Sequence, residues 1–317
     1  MRSAITGTGS YLPPKVVTNQ DLEKIVETSS DWIVERTGIL KRHIAENELA
    51  SDLALKAAKN AMEMAGVTGE ELDFIIVATI TPDDTLPATA IKVQADLQAK
   101  NAAAFDINAA CSGFLYALTI ADSMIRSGQG KTILVIGSEV MSKITDWNDR
   151  NTCVLFGDGA GAIVLRAQPD QNKGVMDLKI YSDAAMRELL GCTGGVGRTG
   201  TAGTVTMQGK EVYKNAVNNM SAAAFDILQK NSLTADDIDF LVPHQANLRI
   251  IESVAKKTGL PPEKVIVTIQ EQANTSAASV PLALDHAVRS GKIKPGHLVL
   301  VEAMGAGFTW GAGLIRF

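Results

Sequence analysis

The sequence predicts an α/β protein made of two similar halves, and three observations carry that prediction. Continuous apolar runs at 74–77 (Phe-Ile-Ile-Val), 132–136 (Thr-Ile-Leu-Val-Ile), 240–242 (Phe-Leu-Val) and 298–301 (Leu-Val-Leu-Val) alternate with helix-period segments. That pattern belongs to sheets covered on both faces. Segment 67–77 is paralleled by 233–242, with Leu72 matching Ile238, and 132–137 is paralleled by 297–302, with Ile133 matching Leu298. Each half then reads helix, buried strand, helix, buried strand. Finally, 317 residues with 46% hydrophobic and 21% charged side chains give enough length for two core units. The halves are expected at 1–170 and 171–317, joined in the polar stretch 169–174.

Composition removes several function classes. A net charge of −5 lacks the basic footprint of non-specific nucleic-acid binding. No apolar run approaches the ~20 residues of a membrane span. Residues 1–5 (Met-Arg-Ser-Ala-Ile) enter a strand directly, which predicts no signal peptide. Cys111, Cys153 and Cys192 are widely spaced, which argues against a disulfide framework and for a reducing cytoplasm. The four histidines are scattered, with neither His-Glu-x-x-His nor Cys-x-x-Cys, so no metal site is expected.

Along the chain, Cys111 is the first residue that suggests chemistry. An apolar run ends in Ala109-Ala110, the thiol follows, and Phe114, Leu115, Leu118, Ala121, Met124 and Ile125 give the next segment one apolar helical face, stopped by Gly128. The thiol is therefore placed at a strand-to-helix turn. Free N–H groups and the helix dipole there are expected to favour the nucleophilic thiolate. A free cysteine is also often just a small buried hydrophobe. Cys153, in 152–156 (Thr-Cys-Val-Leu-Phe), reads that way, on a buried strand. The run 157–161 (Gly-Asp-Gly-Ala-Gly) lacks dinucleotide-binding spacing and a following helix, and reads as a tight turn near the site. The glycine-rich stretch 191–203 reads as a mobile surface loop, either passive or a flap facing substrate.

Two later segments favour the chemical reading of Cys111. His244 follows the run 240–242, and Asn274 follows a second apolar run at 265–269 (Val-Ile-Val-Thr-Ile), also expected to be a strand. Each polar side chain lies just beyond a buried strand, where α/β folds build their sites. A cysteine, a histidine and an asparagine in such places suit thioester chemistry: the thiol takes an acyl group, and the other two donate to an oxygen that becomes negative. Taken singly, His244 could be structural and Asn274 could cap a helix starting at Thr275 or Ser276.

The chain resembles the β-ketoacyl-acyl carrier protein synthase III family, the initiating condensing enzymes of bacterial fatty acid synthesis, within the thiolase superfamily. The resemblance spans essentially the whole sequence. It rests on 7–13 (Gly-Thr-Gly-Ser-Tyr-Leu-Pro), 31–39 (Asp-Trp-Ile-Val-Glu-Arg-Thr-Gly-Ile), the Cys111 segment, 156–162 (Phe-Gly-Asp-Gly-Ala-Gly-Ala), the His244 and Asn274 segments, and 307–311 (Gly-Phe-Thr-Trp-Gly), in that order. It implies the thiolase fold, with the halves stacked as five layers, helices lying between and outside two sheets. It also implies decarboxylative condensation of an acyl-CoA primer, acetyl-CoA first, with malonyl-acyl carrier protein through a Cys111 acyl-enzyme. Coenzyme A is then a substrate thioester and no cofactor is required.

The same resemblance assigns further residues. His244 and Asn274 would hold the thioester oxyanion, and the Cys111 and Ala306 N–H groups the acyl oxygen. Trp32 and Arg150 would bracket the adenine of coenzyme A, with Thr28, Arg36, Asn247 and Arg249 at the tunnel mouth. Leu86 would close the acyl pocket from the second subunit of a homodimer. Arg249, Lys256 and Lys257 would form a basic docking patch for the acidic carrier protein. One histidine with one asparagine separates this chain from elongating ketosynthases, which use two histidines, and from thiolases, which use a second cysteine. A same-fold acyltransferase acting without decarboxylation, and a non-catalytic scaffold, are the competing readings. Intact Cys111, His244 and Asn274 argue against the scaffold.

Overall fold

Two open sheets are stacked with helices between and outside them. The computed structural model describes residues 1–170 and 172–317; Gln171, within the expected link 169–174, lies outside the described residues. The first half holds β1 (Arg2–Tyr11), a ribbon of β2 (Lys15–Thr18) and β3 (Lys41–Ile44) enclosing α1 (Asn19–Leu22) and α2 (Ser30–Thr37), then α3 (Ala50–Ala65), β4 (Phe74–Ala78), α4 (Thr89–Asp96), β5 (Ala103–Ile107), α5 (Gly113–Arg126), β6 (Thr132–Val140) and β7 (Asp158–Gln168). The second holds β8 (Gly174–Ser182), a ribbon of β9 (Leu190–Cys192) and β10 (Val205–Met207) enclosing α6 (Val196–Thr199), then α7 (Gly209–Lys230), β11 (Phe240–Pro243), α8 (Leu248–Thr258), α9 (Ile269–Gln272), α10 (Ser279–Arg289), β12 (Leu298–Gly305) and β13 (Thr309–Arg316).

The sheets run β1-β7-β6-β4-β5 and β8-β13-β12-β11. Pairings β4/β5, β4/β6 and β11/β12 are parallel, and the others antiparallel. Burial orders five layers. Ala54, Ala57 and Ala61 of α3 and Val93 of α4 pack outside the first sheet. Leu118 of α5 and Leu284 of α10 lie between the sheets, and Ile227 of α7 and Ile251 of α8 lie outside the second. The duplication extends to local chemistry. Thr68 and Glu71 form a capping box, as do Thr234 and Asp237. Asp73 accepts from the backbone N–H of Thr132 as Asp239 does from that of Leu298.

Three local expectations are corrected. Segment 265–269 is not a strand: only Val265 bridges, to Leu241, where the first sheet has β5. The reason is a side chain. Gln245 Oε1 accepts from the Thr268 and Ile269 N–H groups (2.8 and 3.1 Å), so those donors turn away from a ladder and α9 begins. Segment 152–156 is buried but built of turns, with the Thr152 and Cys153 N–H groups donating to Asp149 O. Residues 157–161 are not a tight turn. From Asp158 they belong to β7, and the glycines serve close approach: a Cβ on Gly161 would lie 2.6 Å from Leu282 N, so α10 rests directly on the strand.

One core residue has an unusual protonation state. Glu302 of β12 is fully buried, lies in register with Pro243 and Ala312, and neither carboxylate oxygen has a hydrogen-bond partner among the described residues. Burial pushes its carboxyl up to about 8 from 4.5. The unfolded chain ionises Glu302 above about 4.5, whereas the folded chain keeps the proton until about 8. Unfolding therefore releases a proton in that window, and stability falls as pH rises through it. Glu302→Gln should flatten the fall of melting temperature between pH 5 and 8. Parallel wild-type and variant curves would show that Glu302 is ionised in the fold.

Candidate active site

A cavity of ≈ 1550 Å³ opens where β5, β11 and β12 end, and Cys111, His244, Asn274 and Ala306 all line it. Cys111 sits in the 3-10 turn Ala110–Ser112 that runs straight into α5. N–H groups in such a first turn have no intrahelical acceptor. Ala110 holds φ +47°, a strained value for a residue with a Cβ. Gly305 packs against the turn so closely that a Cβ there would meet Cys111 N at 2.5 Å. This brings the backbone of 305–307 beside the thiol. Thr309 donates to Ala306 O (3.0 Å) and receives the Ser112 hydroxyl (2.7 Å), which ties the two backbone segments together.

The thiolate expectation is corrected. Burial pushes the Cys111 thiol up to about 12, and the nearby Glu139 carboxyl adds to the rise. A helix start was legible in the sequence, but the enclosing walls that outweigh its dipole were not. Glu139 was not anticipated at all. It is fully buried, accepts from Thr81 Oγ1 (2.6 Å) and Ile80 N (3.1 Å), and burial pushes its carboxyl up to about 7.

His244 directly follows β11 and is 2% exposed; burial lowers its pKa to about 4, so the ring is neutral at pH 7. Its Nδ1 contacts Ser279 Oγ, which leaves Nε2 without a protein partner among the described residues. Asn274 is held at both ends. Its N–H donates to Leu155 O (2.9 Å), its carbonyl accepts from Gly157 N (3.0 Å), and its Oδ1 accepts from Ser276 N (2.9 Å). With Oδ1 fixed, Nδ2 is the free end, and it too has no protein partner among the described residues. The helix-cap alternative for Asn274 thus describes Oδ1, while Nδ2 remains available.

The other expected residues separate into those at the cavity and those away from it. Trp32, Arg36, Asn247 and Arg249 line it. Arg150 does not line it but stands over the Trp32 ring at 5.2 Å, with Arg36 at 5.7 Å. Thr28 is off the lining, with a buried Oγ1 that has no hydrogen-bond partner among the described residues. Asn247 caps α8 through Arg249 N and donates to Arg36 O (2.8 Å). Arg249 lies against Tyr213 (5.9 Å). Lys256 and Lys257 are exposed two turns further along α8 and do not reach the cavity. Leu86 is 80% exposed and does not line the cavity, although Thr85 does. The 191–203 stretch is no unstructured loop. Gly195 N donates to Thr201 O (2.6 Å), Arg198 donates to Thr193 O (2.6 Å), and Gly191, Cys192 and Val196 form a cavity wall.

The residue that sequence reasoning missed most completely is Gln245. It is fully buried, donates to Pro243 O (2.8 Å) and Ile266 O (3.1 Å), and accepts from the Thr268 and Ile269 N–H groups. Gln245→Leu would strand buried donors and acceptors at once. It should cost roughly 3 kcal/mol in urea unfolding. A loss below about 1 kcal/mol would mean that water or a backbone shift replaces these bonds.

Comparison with known proteins agrees with this geometry. Residues 105–184 match the family model for 3-oxoacyl-[acyl-carrier-protein (ACP)] synthase III, and 228–317 match the model for its C-terminal part. The β-ketoacyl-[acyl-carrier-protein] synthase III of Paramagnetospirillum magneticum is 54% identical, covering 100% of this chain and 99% of that protein. That of Hyphomonas neptunium is 55% identical, with 99% of each covered. The crystal structure of 3-oxoacyl-[acyl-carrier-protein] synthase III from Aquifex aeolicus VF5 superposes with a TM-score of 0.96 at 49% identity, covering 99% of this chain and 100% of that one. With the five layers and the cavity shared by Cys111, His244 and Asn274, these matches leave one assignment: the chain belongs to the β-ketoacyl-acyl carrier protein synthase III family.

Proposed function

We propose that the chain condenses an acyl-CoA primer, acetyl-CoA first, with malonyl-acyl carrier protein to give the 3-oxoacyl thioester that starts fatty acid synthesis. The observation that carries this reading is the convergence on one cavity of a thiol and two free neutral donors, His244 Nε2 and Asn274 Nδ2. The Cys111 sulfur attacks the primer thioester, and its proton leaves on the departing coenzyme A sulfur. The oxygen that becomes negative is received by the Cys111 and Ala306 N–H groups. Collapse of that intermediate releases the coenzyme A thiol and leaves an acyl-cysteine. The malonyl thioester then loses carbon dioxide, and the electron pair of the broken bond forms an enolate whose oxygen takes hydrogen bonds from His244 and Asn274. The enolate carbon attacks the acyl carbon and expels the Cys111 thiolate. A neutral histidine is sufficient for this role, because the site supplies dipoles where charge develops.

Coenzyme A recognition is supported by the aromatic face of Trp32 with Arg150 and Arg36 beside it, a slot that stacks on a base and pairs with phosphate. Thr28 and Asn247 lie on the segments flanking that slot. A homodimer is supported by Leu86, exposed in the single chain next to cavity-lining Thr85, and by the free edge of β5. Leu86 of a second copy would close the acyl pocket. Among the described residues no helix is long and apolar enough to cross a membrane, and all three cysteines are unpaired, which supports a reducing cytoplasm.

Peptide mass mapping after incubation with acetyl-CoA alone should place the acetyl group on Cys111. His244→Ala and Asn274→Ala should each slow malonyl decarboxylation by about a hundredfold while leaving acyl transfer from coenzyme A near the wild-type rate. An adduct on Cys153 or Cys192, or equal loss in both half-reactions, would sink the mechanism. Product formed without carbon dioxide would favour the acyltransferase reading.

The chain and its acidic carrier repel at long range, so docking depends on a local basic patch. Arg249, Lys256 and Lys257 supply one along α8. Arg249→Glu should raise the KM for malonyl-acyl carrier protein, an effect that shrinks with added salt. It should leave a malonyl thioester lacking the protein little changed. Equal impairment of both substrates would move Arg249 from protein docking to the thioester arm.

A further inference from the structure

We infer that Ser279 is a positioning residue that fixes the single ring proton of His244 on Nε2, the nitrogen left free at the cavity. The inference deepens the proposed function and rests on reading His244 as a donor to the thioester oxygen.

The argument is one of hydrogen-bond bookkeeping around one oxygen. Ser279 opens α10 and is 1% exposed, so its hydroxyl has no access to solvent. Two protein groups reach Oγ: His244 Nδ1, and the Gln245 backbone N–H at 3.3 Å. A hydroxyl has one hydrogen and two lone pairs, and a backbone N–H can only donate. Gln245 therefore takes a lone pair, and the hydroxyl hydrogen still needs an acceptor. His244 Nδ1 is the one within reach among the described residues. If Nδ1 carried the proton instead, the oxygen would face two donors and its own hydrogen would be buried without a partner, a costly arrangement. The neutral ring has one proton to place. With Nδ1 accepting, the proton sits on Nε2.

The duplication supplies an independent comparison. The elbow Ala110–Ser112 followed by α5 is repeated as Ser276–Ala278 followed by α10, and Ala110 and Ser276 share a positive φ (+47° and +50°). Gly113 opens α5 as Ser279 opens α10, and Ala78 ends β4 where His244 follows β11. In the first half that pair is Ala78 and Gly113, close-packed, with a Cβ on Gly113 placed 3.2 Å from the Ala78 Cβ. In the second half the same two places hold a histidine and a serine, now hydrogen bonded. The geometry that packs two small residues in one half positions a ring nitrogen against a hydroxyl in the other.

Nitrogen NMR of the ¹⁵N-histidine protein at pH 7, with His244 assigned by comparison with His244→Ala, should show a protonated Nε2 and an unprotonated Nδ1. A protonated Nδ1 would overturn the inference. The kinetic test compares Ser279→Thr with Ser279→Val, which share the same added bulk and differ only in the hydroxyl. Ser279→Val should decarboxylate malonyl-acyl carrier protein about tenfold or more slowly than Ser279→Thr, a fraction of the ~100-fold expected for losing a whole donor. Acyl transfer to Cys111 should agree between them within about twofold, a split that general misfolding would not produce. Equal decarboxylation in the two variants would overturn the inference. A wild-type decarboxylation rate in His244→Ala would overturn the role of His244 itself, and is told apart because the nitrogen spectrum would still report an Nε2 proton.

Discussion

The side-chain amide of Gln245 spends all four of its bonds on backbone, and the site is arranged around that fact. It clasps the end of β11 to residues 266–269, which would otherwise extend the second sheet as β5 extends the first. Because the amide satisfies the Thr268 and Ile269 donors, the chain turns into α9 and reaches Asn274 from the side. The Gln245 N–H meanwhile meets Ser279, the partner of His244. One buried residue thus fixes the relative placement of His244 and Asn274 while touching neither reacting atom. A half-satisfied amide in such a place would be worse than an apolar residue, which is why the arrangement works as a unit.

The second constraint is dryness. Burial holds the Cys111 thiol protonated and the His244 ring neutral, so neither group carries charge before substrate arrives. Leaving these two groups neutral avoids the large cost of desolvating isolated ions. In the proposed reaction the donors, His244 Nε2, Asn274 Nδ2 and the backbone N–H groups near Cys111, would then meet negative charge only when it is created. Interactions that strengthen in the transition state accelerate chemistry, whereas those made equally to bound substrate do not. In the proposed reaction the Cys111 thiol, pushed up to about 12, gives up its proton during the attack.

What the sequence made legible follows from range. Buried strands and amphipathic helices are encoded by neighbours, so the halves, their repeat and the elbow at Cys111 could be read directly. Cys111 and His244 each follow a strand as the pattern suggests, whereas Asn274 was placed by a strand that does not form and reaches the cavity through α9 instead. What could not be read depended on distant partners. The run 265–269 has strand composition, but Gln245, some twenty residues upstream, decides its fate. The glycines of 157–161 suit a turn or a close helix equally well, and only the position of α10 chooses. The thiol's environment depends on walls drawn from both halves. Nothing in the residues around Ser279 marks it, and its partner becomes visible only when β11 and α10 are side by side.

The two elbows explain why the site lies where it does. Each half carries a strained 3-10 turn and a helix in the layer between the sheets, and the turns Ala110–Ser112 and Ser276–Ala278 pack against each other. The cavity opens along that junction, at the strand ends of both sheets, a location fixed by topology. Duplication then leaves two equivalent sets of positions facing one space, and equivalence frees them to diverge. One turn carries the nucleophile Cys111 where the other carries Ala277, and one strand end carries His244 where the other carries Ala78. A thiol and its opposing donors thus come from unlike residues on like backbones. The small residues matter too, because Ala78, Gly113 and Ala277 meet at van der Waals range and let the two turns pack closely.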